Sequence, residues 1–147
     1  MDSSGRVNLA APIWNVRGNR SATMEFEATT SSPRNTRDFV GRMARGWGLG
    51  DVGSLAELLV SEVVTNAVEH GTSGGVVEVV ALPAGLRVAV TDRSEGHPEM
   101  RHPGNMEPTG RGLAIVDRLS RWWGVERAAG GKTVWFEVDD LDLTNAW

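Results

Sequence analysis

The chain has 147 residues, with 15 basic against 19 acidic side chains, a net charge of −4, and no cysteine. That length suits one domain able to hide roughly 70% of its unfolded surface without staples. The missing cysteines exclude disulfides, thiolate metal sites and cysteine nucleophiles. The acidic balance gives no basic surface for nucleic acid, no apolar run approaches the ~20 residues that cross a bilayer, and the first residues do not read as a signal peptide. The expected setting is cytoplasmic.

Residues 1–20 are rich in Ser, Gly, Asn and Arg without periodicity and read as a flexible leader. A first strand is expected over Ala22–Ala28, where Met24 and Phe26 alternate with polar residues. Ser31 or Ser32 should cap a helix with Pro33 in its first turn, carrying Phe39, Val40, Met43 and Ala44 on one face and ending at Gly46–Gly50. A second helix should start at Asp51 or Ser54 and stop at Gly71. Strands Val76–Leu82 and Leu86–Thr91 flank a Pro83-Ala84-Gly85 turn. The stretch Arg93–Pro108 has no period and is long enough to be a functional loop. Gly110-Arg111-Gly112 should open a third helix, Leu113–Leu119, before strands near Trp123–Glu126 and Thr133–Val138, with residues 141–147 a tail. Strands in consecutive pairs imply an α+β fold: a two-layer α/β sandwich whose mixed, mostly antiparallel sheet carries helices on one face.

The second helix is unusual. Ala56, Val60, Val63, Val64 and Ala67 cover one side, and Leu55, Leu58 and Leu59 cover much of the other, so its first half reads as buried all round. Glu62 and Asn66 then continue the line that Leu55 and Leu59 began, with Glu69 and His70 beside them. An unpaired buried carboxylate costs several kcal/mol, so this face must meet water, a counter-charge, a metal or a ligand. A carboxylate and an amide oxygen one turn apart suit a hard cation such as magnesium. The carboxylate could also take a proton from an attacking hydroxyl. Asp92, at a strand end, could accept from an exocyclic amine such as that of adenine, although aspartates also end strands as turn residues. Glycines at a helix start let phosphate approach free N–H groups, but a lone Gly-x-Gly is common, and there is no P-loop motif. His70, His97 and His102 are too scattered for a zinc site, and Trp122 and Trp123 read as core and edge packing.

Ser61-Glu62-Val63-Val64-Thr65-Asn66-Ala67-Val68-Glu69-His70-Gly71 resembles the asparagine box of the histidine-kinase-like ATPases, the superfamily shared with gyrase. Thr91–Gly96 resembles their first glycine box, Thr109–Val116 the second, and Gly131–Phe136 the closing strand motif. In so short a chain the form is similar to the bacterial anti-sigma factor serine/threonine kinases. The resemblance implies ATP and Mg2+ as cofactors, with Glu62 as general base and Asn66 reaching the metal. It further implies an ATP-binding set of Asn66, Asp92, Gly96, Thr109, Gly110, Arg111, Gly112, Leu113 and Thr133, under a lid formed by Arg93–Pro108. The implied partners are an anti-anti-sigma factor offering a Ser or Thr hydroxyl, a sigma factor, and a second copy in a homodimer. Ser94 departs from the family, which has glycine there; where φ must be positive, serine carries a backbone cost. The alternative function is a nucleotide-holding regulatory module that sequesters a protein without chemistry.

Overall fold

The computed structural model describes residues 20–70, 74–93, 106–128 and 130–139. Strand β1 (Ser21–Phe26) is followed by helices α1 (Ser32–Gly46) and α2 (Gly50–His70). Strands β2 (Gly75–Leu82) and β3 (Gly85–Asp92), helix α3 (Met106–Leu119), and strands β4 (Trp122–Ala128) and β5 (Gly131–Asp139) complete the order. The five strands form one sheet in the order β1-β2-β3-β5-β4, and every neighbouring pair is antiparallel. The two-layer α+β architecture expected from the strand pairing is therefore present, with a fully antiparallel sheet.

Period-2 alternation sorts the strands into two faces. Met24 and Phe26, Val77 and Val79, Leu86, Val88 and Val90, and Val134, Phe136 and Val138 join the helices in one core. Against them pack Phe39, Val40 and Ala44 of α1 and Val52, Leu55, Leu59, Val60 and Val64 of α2. Gly53 sets the spacing between α1 and α2: a Cβ built there would lie 2.6 Å from the Cβ of Ala44. Leu58 is 43% exposed, so the first half of α2 is not buried all round as its composition suggested.

Several boundaries follow chemistry that the sequence left open. At the start of α1 the Ser31 side chain makes no capping bond; the Ser32 hydroxyl donates to the Glu27 carbonyl instead. Pro33 keeps its place in the first turn, where its missing N–H costs nothing. The β2–β3 hairpin closes through Pro83 and Ala84, since Leu82 already pairs with Gly85. Helix α3 begins at Met106, seven residues before the expected Leu113, so that Pro108 falls in its first turn. Trp123 packs against the core and donates its Nε1–H to Asp117 (2.8 Å), whereas Trp122 is 59% exposed on the edge strand.

The sheet face turned away from the helices carries an ionic cluster. Arg87 projects there from β3, its guanidinium 2.6 Å from Glu137 on β5 and 4.3 Å from the ring centroid of Trp135. It is only 2% exposed. Burial lowers the pKa of Arg87, against the hydrogen bond and charge of Glu137 and the charges of Glu78 and Glu126. Burial raises the Glu78 carboxyl above its ordinary value by more than the nearby Arg87 lowers it. In the folded state Glu78 thus holds a proton that the unfolded chain has already released. The group costs stability above its folded pKa; the cost fades as pH falls through that value and is gone below the ordinary 4.5. Glu78→Gln is accordingly expected to raise the urea midpoint at neutral pH, with the gain shrinking as the solution is acidified.

Candidate functional site

The candidate residues that the structure describes lie on α2, on the ends of β3 and β5, and on α3. Helix α2 packs against β3 and β5 on one side and between α1 and α3 on the other. Along it, buried Leu55 and Leu59 give way to half-buried Glu62 and Asn66, while Glu69 is exposed. The neighbouring hydroxyls are used locally. Thr65 donates to the Ser61 carbonyl (2.6 Å), and Ser61 donates to that of Leu58 (3.0 Å), so both bonds stay inside the helix. His70, the last residue of α2, keeps Nε2 buried with no hydrogen-bond partner among the described residues.

Asp92 ends β3 and is 3% exposed, on the helix-facing side of the sheet by the alternation that buries Leu86, Val88 and Val90. Its cross-strand neighbours are Gly75 on β2 and Lys132 on β5. The Lys132 ammonium lies 3.8 Å from the Asp92 carboxylate and is itself mostly buried. Gly75 contributes no side chain to this row, and none would fit: a Cβ there would fall 1.9 Å from the Thr91 carbonyl oxygen. A buried carboxylate beside one ammonium can accept a hydrogen bond from a ligand amine, while the ammonium offsets the cost of its burial.

Several expectations need correction or fall outside the described residues. Thr133, placed with Asp92 in the implied ATP-binding set, does not share its face of the sheet. It pairs with Thr91, and the two hydroxyls hydrogen bond (2.8 Å) on the opposite face of the sheet. The side chain next to Asp92 belongs to Lys132, one residue earlier, because a shift of one along a strand changes faces. Gly110 and Gly112 do not open α3. The helix has started at Met106, and since only the first four N–H groups of a helix are free, the two glycines sit beyond its open end, as do Arg111 and Leu113. Thr109 is the fourth residue and still belongs to the first turn. Ser94, Gly96, His97, His102 and most of the expected lid lie outside the described residues; of the lid, Arg93 follows β3, and Met106–Pro108 begin α3. The flexible leader over 1–20, except Arg20, and the tail over 141–147 also fall outside them.

Lys132 and Arg87 are the residues that sequence reasoning missed. The signal for Lys132 was the antiparallel pairing of two strand ends, which brings it opposite Asp92. The signal for Arg87 was a single cation inside the apolar run Leu86–Val90.

Comparison with known proteins places this geometry. A family model described as a histidine kinase-like ATPase domain matches residues 26–138. Among solved structures, the chain is similar to the RsbU and RsbW domains of Rv1364c from Mycobacterium tuberculosis, at a TM-score of 0.57 and 22% identity, covering 81% of this chain and 31% of that one. It also matches the histidine kinase domain of the Erythrobacter litoralis EL346 blue-light activated histidine kinase, at a TM-score of 0.46 and 26% identity over 69% of this chain and 63% of that one. The chain thus spans about a third and somewhat under two thirds of these two structures' lengths. No curated protein matches. The family match covers both the α2 face and the Asp92 strand end, and the chain belongs to the histidine kinase-like ATPase domain family.

Proposed function

We propose that this domain binds ATP with magnesium and transfers the γ-phosphoryl group to a serine or threonine hydroxyl of a separate small protein. The observation that carries the reading is the half-buried pair Glu62 and Asn66, one turn apart on α2, on the helix layer that Asp92 faces from the end of β3. Asp92 is suited to accept from the adenine amine, and Lys132 is placed to keep that carboxylate compensated.

The donor set fits magnesium. Asn66 offers an amide oxygen, a hard ligand, one turn from the Glu62 carboxylate, which is kept for the proton. Among the described residues no group of three or more His, Asp or Glu gathers to hold a metal. The remaining ligands would be phosphate oxygens and water. Bound there, the ion would neutralise charge on the phosphates.

Glu62 acts on the acceptor. As the partner's hydroxyl oxygen bonds to the γ-phosphorus, the bond from that phosphorus to the β-bridging oxygen breaks and ADP leaves. The hydroxyl proton passes to the Glu62 carboxylate. The acceptor in this proposal is an anti-anti-sigma factor, and a sigma factor is the competing partner. The fold likeness to a chain with an RsbW domain supports that choice only at the level of architecture. A dimer of this chain and a cytoplasmic setting belong to the same proposal; no helix among the described residues is long and apolar enough to cross a membrane.

Incubation with γ-labelled ATP, magnesium and a candidate anti-anti-sigma protein tests the reading. The expected result is label on a partner Ser or Thr. Tight ATP binding with no transfer to any such partner would favour the second reading, a nucleotide-holding module that sequesters its partner; Ser94 in the glycine box is the feature that favours it.

A further inference from the structure

The end of the sheet beside Asp92 carries a second polar side chain whose direction needs a reason. The cross-strand row there runs Phe26, Gly75, Asp92, Lys132, Arg127, on the face that packs against the helices. Further along β5 the same face carries Val134, Phe136 and Val138, all buried in the core. A lysine at a strand end ordinarily lays its stem on apolar surface and carries its ammonium out to water. Arg127, the next residue of the row, is exposed in that way. Lys132 is not. Its side chain is 15% exposed, and the ammonium lies 3.8 Å from the carboxylate of Asp92, which is 3% exposed. Helix α2 ends at His70 and β2 begins at Gly75, so the polar end of α2 comes to this same end of the sheet.

Neutralising Asp92 does not by itself account for the lysine. A buried ion pair seldom adds stability over an apolar pair of the same size, so its presence points to a use. An ammonium has three N–H donors, and a single carboxylate oxygen takes one of them. The row thus sets an acceptor, Asp92, directly beside a donor, Lys132. The ligand edge complementary to it has a donor beside an acceptor.

We propose that Lys132 reads the nucleobase, its ammonium donating to N1 of adenine while Asp92 accepts from the neighbouring 6-amine. The proposal rests on the nucleotide reading above and sharpens it to a base specificity. Adenine carries those two groups on adjacent ring positions. Guanine in the same pose presents a carbonyl to the carboxylate and an N1–H to the ammonium, so both contacts turn repulsive. Discrimination follows, because a buried polar group left without its partner costs more than the bond itself contributes.

Calorimetric titration with magnesium and ATP, 1-deaza-ATP or GTP tests this. In 1-deaza-ATP a C–H replaces N1 while the amine stays, so the analogue removes the Lys132 contact alone. The parent is expected to bind it at least about tenfold more weakly than ATP, and GTP more weakly still. Lys132→Met keeps the stem and removes the ammonium; in it, ATP and 1-deaza-ATP should bind within about twofold of each other. The double variant Asp92→Asn with Lys132→Met leaves no charge unpaired and keeps an oxygen for the amine, and it should lose the same preference. A parent that binds ATP and 1-deaza-ATP alike would overturn the proposal while leaving the nucleotide reading intact. So would GTP bound as tightly as ATP. A Lys132→Met variant that binds both adenine nucleotides more weakly by one common factor would also overturn it, since that marks a lysine that only compensates Asp92. No binding of ATP by the parent would instead bring down the nucleotide reading, and this proposal with it.

Discussion

Replacing Glu62 by glutamine is expected to slow phosphoryl transfer to a partner hydroxyl by about 10²- to 10⁴-fold, the usual contribution of a general base. ATP binding should be nearly unchanged. The substitution keeps the shape and hydrogen-bonding length of a half-buried side chain on α2 while removing its capacity to take a proton. The fold should survive, because the core of α2 rests on Leu55, Leu59, Val60 and Val64 rather than on this residue. Single-turnover labelling of a partner, beside equilibrium titration with ATP, separates the two effects. An unchanged rate would remove Glu62 from the chemistry. A loss of ATP affinity equal to the loss of rate would recast it as a binding residue.

Arg87→Ala should be among the most damaging single substitutions for stability, costing about 3–5 kcal/mol. The guanidinium is buried, makes a 2.6 Å bond to Glu137 and stacks on Trp135, and its removal leaves the Glu137 carboxylate without that cation and takes away the positive charge near Glu78. The double variant Arg87→Met with Glu137→Leu should recover much of the loss, since an apolar pair of similar volume has no charge to compensate. Urea unfolding of the parent, the single and the double variant measures this. A single-variant cost below about 1 kcal/mol would mean that the pair behaves as an exposed surface bridge.

Much of the architecture was legible because period and punctuation agreed. Met24 and Phe26 alternated as a half-buried strand should, Pro83-Ala84-Gly85 marked the hairpin, and α2 was bounded by Asp51 or Ser54 at one end and Gly71 at the other. The α2 face itself was legible from burial logic: a carboxylate and an amide continuing a line of leucines is a contradiction for a plain core helix, and the half-burial of Glu62 and Asn66 keeps it one. The start of α3 was not legible. Gly110 and Gly112 read as a loop, because each glycine costs about 1 kcal/mol inside a helix. The helix nonetheless extends back through both to a proline-tolerant first turn at Met106. Strand register was equally hidden, since nothing local says which residue of Gly131-Lys132-Thr133 lies opposite Asp92. A slip of one exchanged Thr133 for Lys132. The buried ionic cluster around Arg87 depended on two strands fifty residues apart becoming neighbours, which no local pattern encodes.

Isothermal titration of magnesium and ATP into the parent protein and into Asn66→Ala bears most directly on the claim that α2 presents its polar face to a metal–nucleotide complex. The account predicts saturable one-site binding to the parent that depends on magnesium, and at least about tenfold weaker binding, or roughly 1.4 kcal/mol, for the variant. Equal affinity in the two proteins, or no binding to the parent, would contradict it.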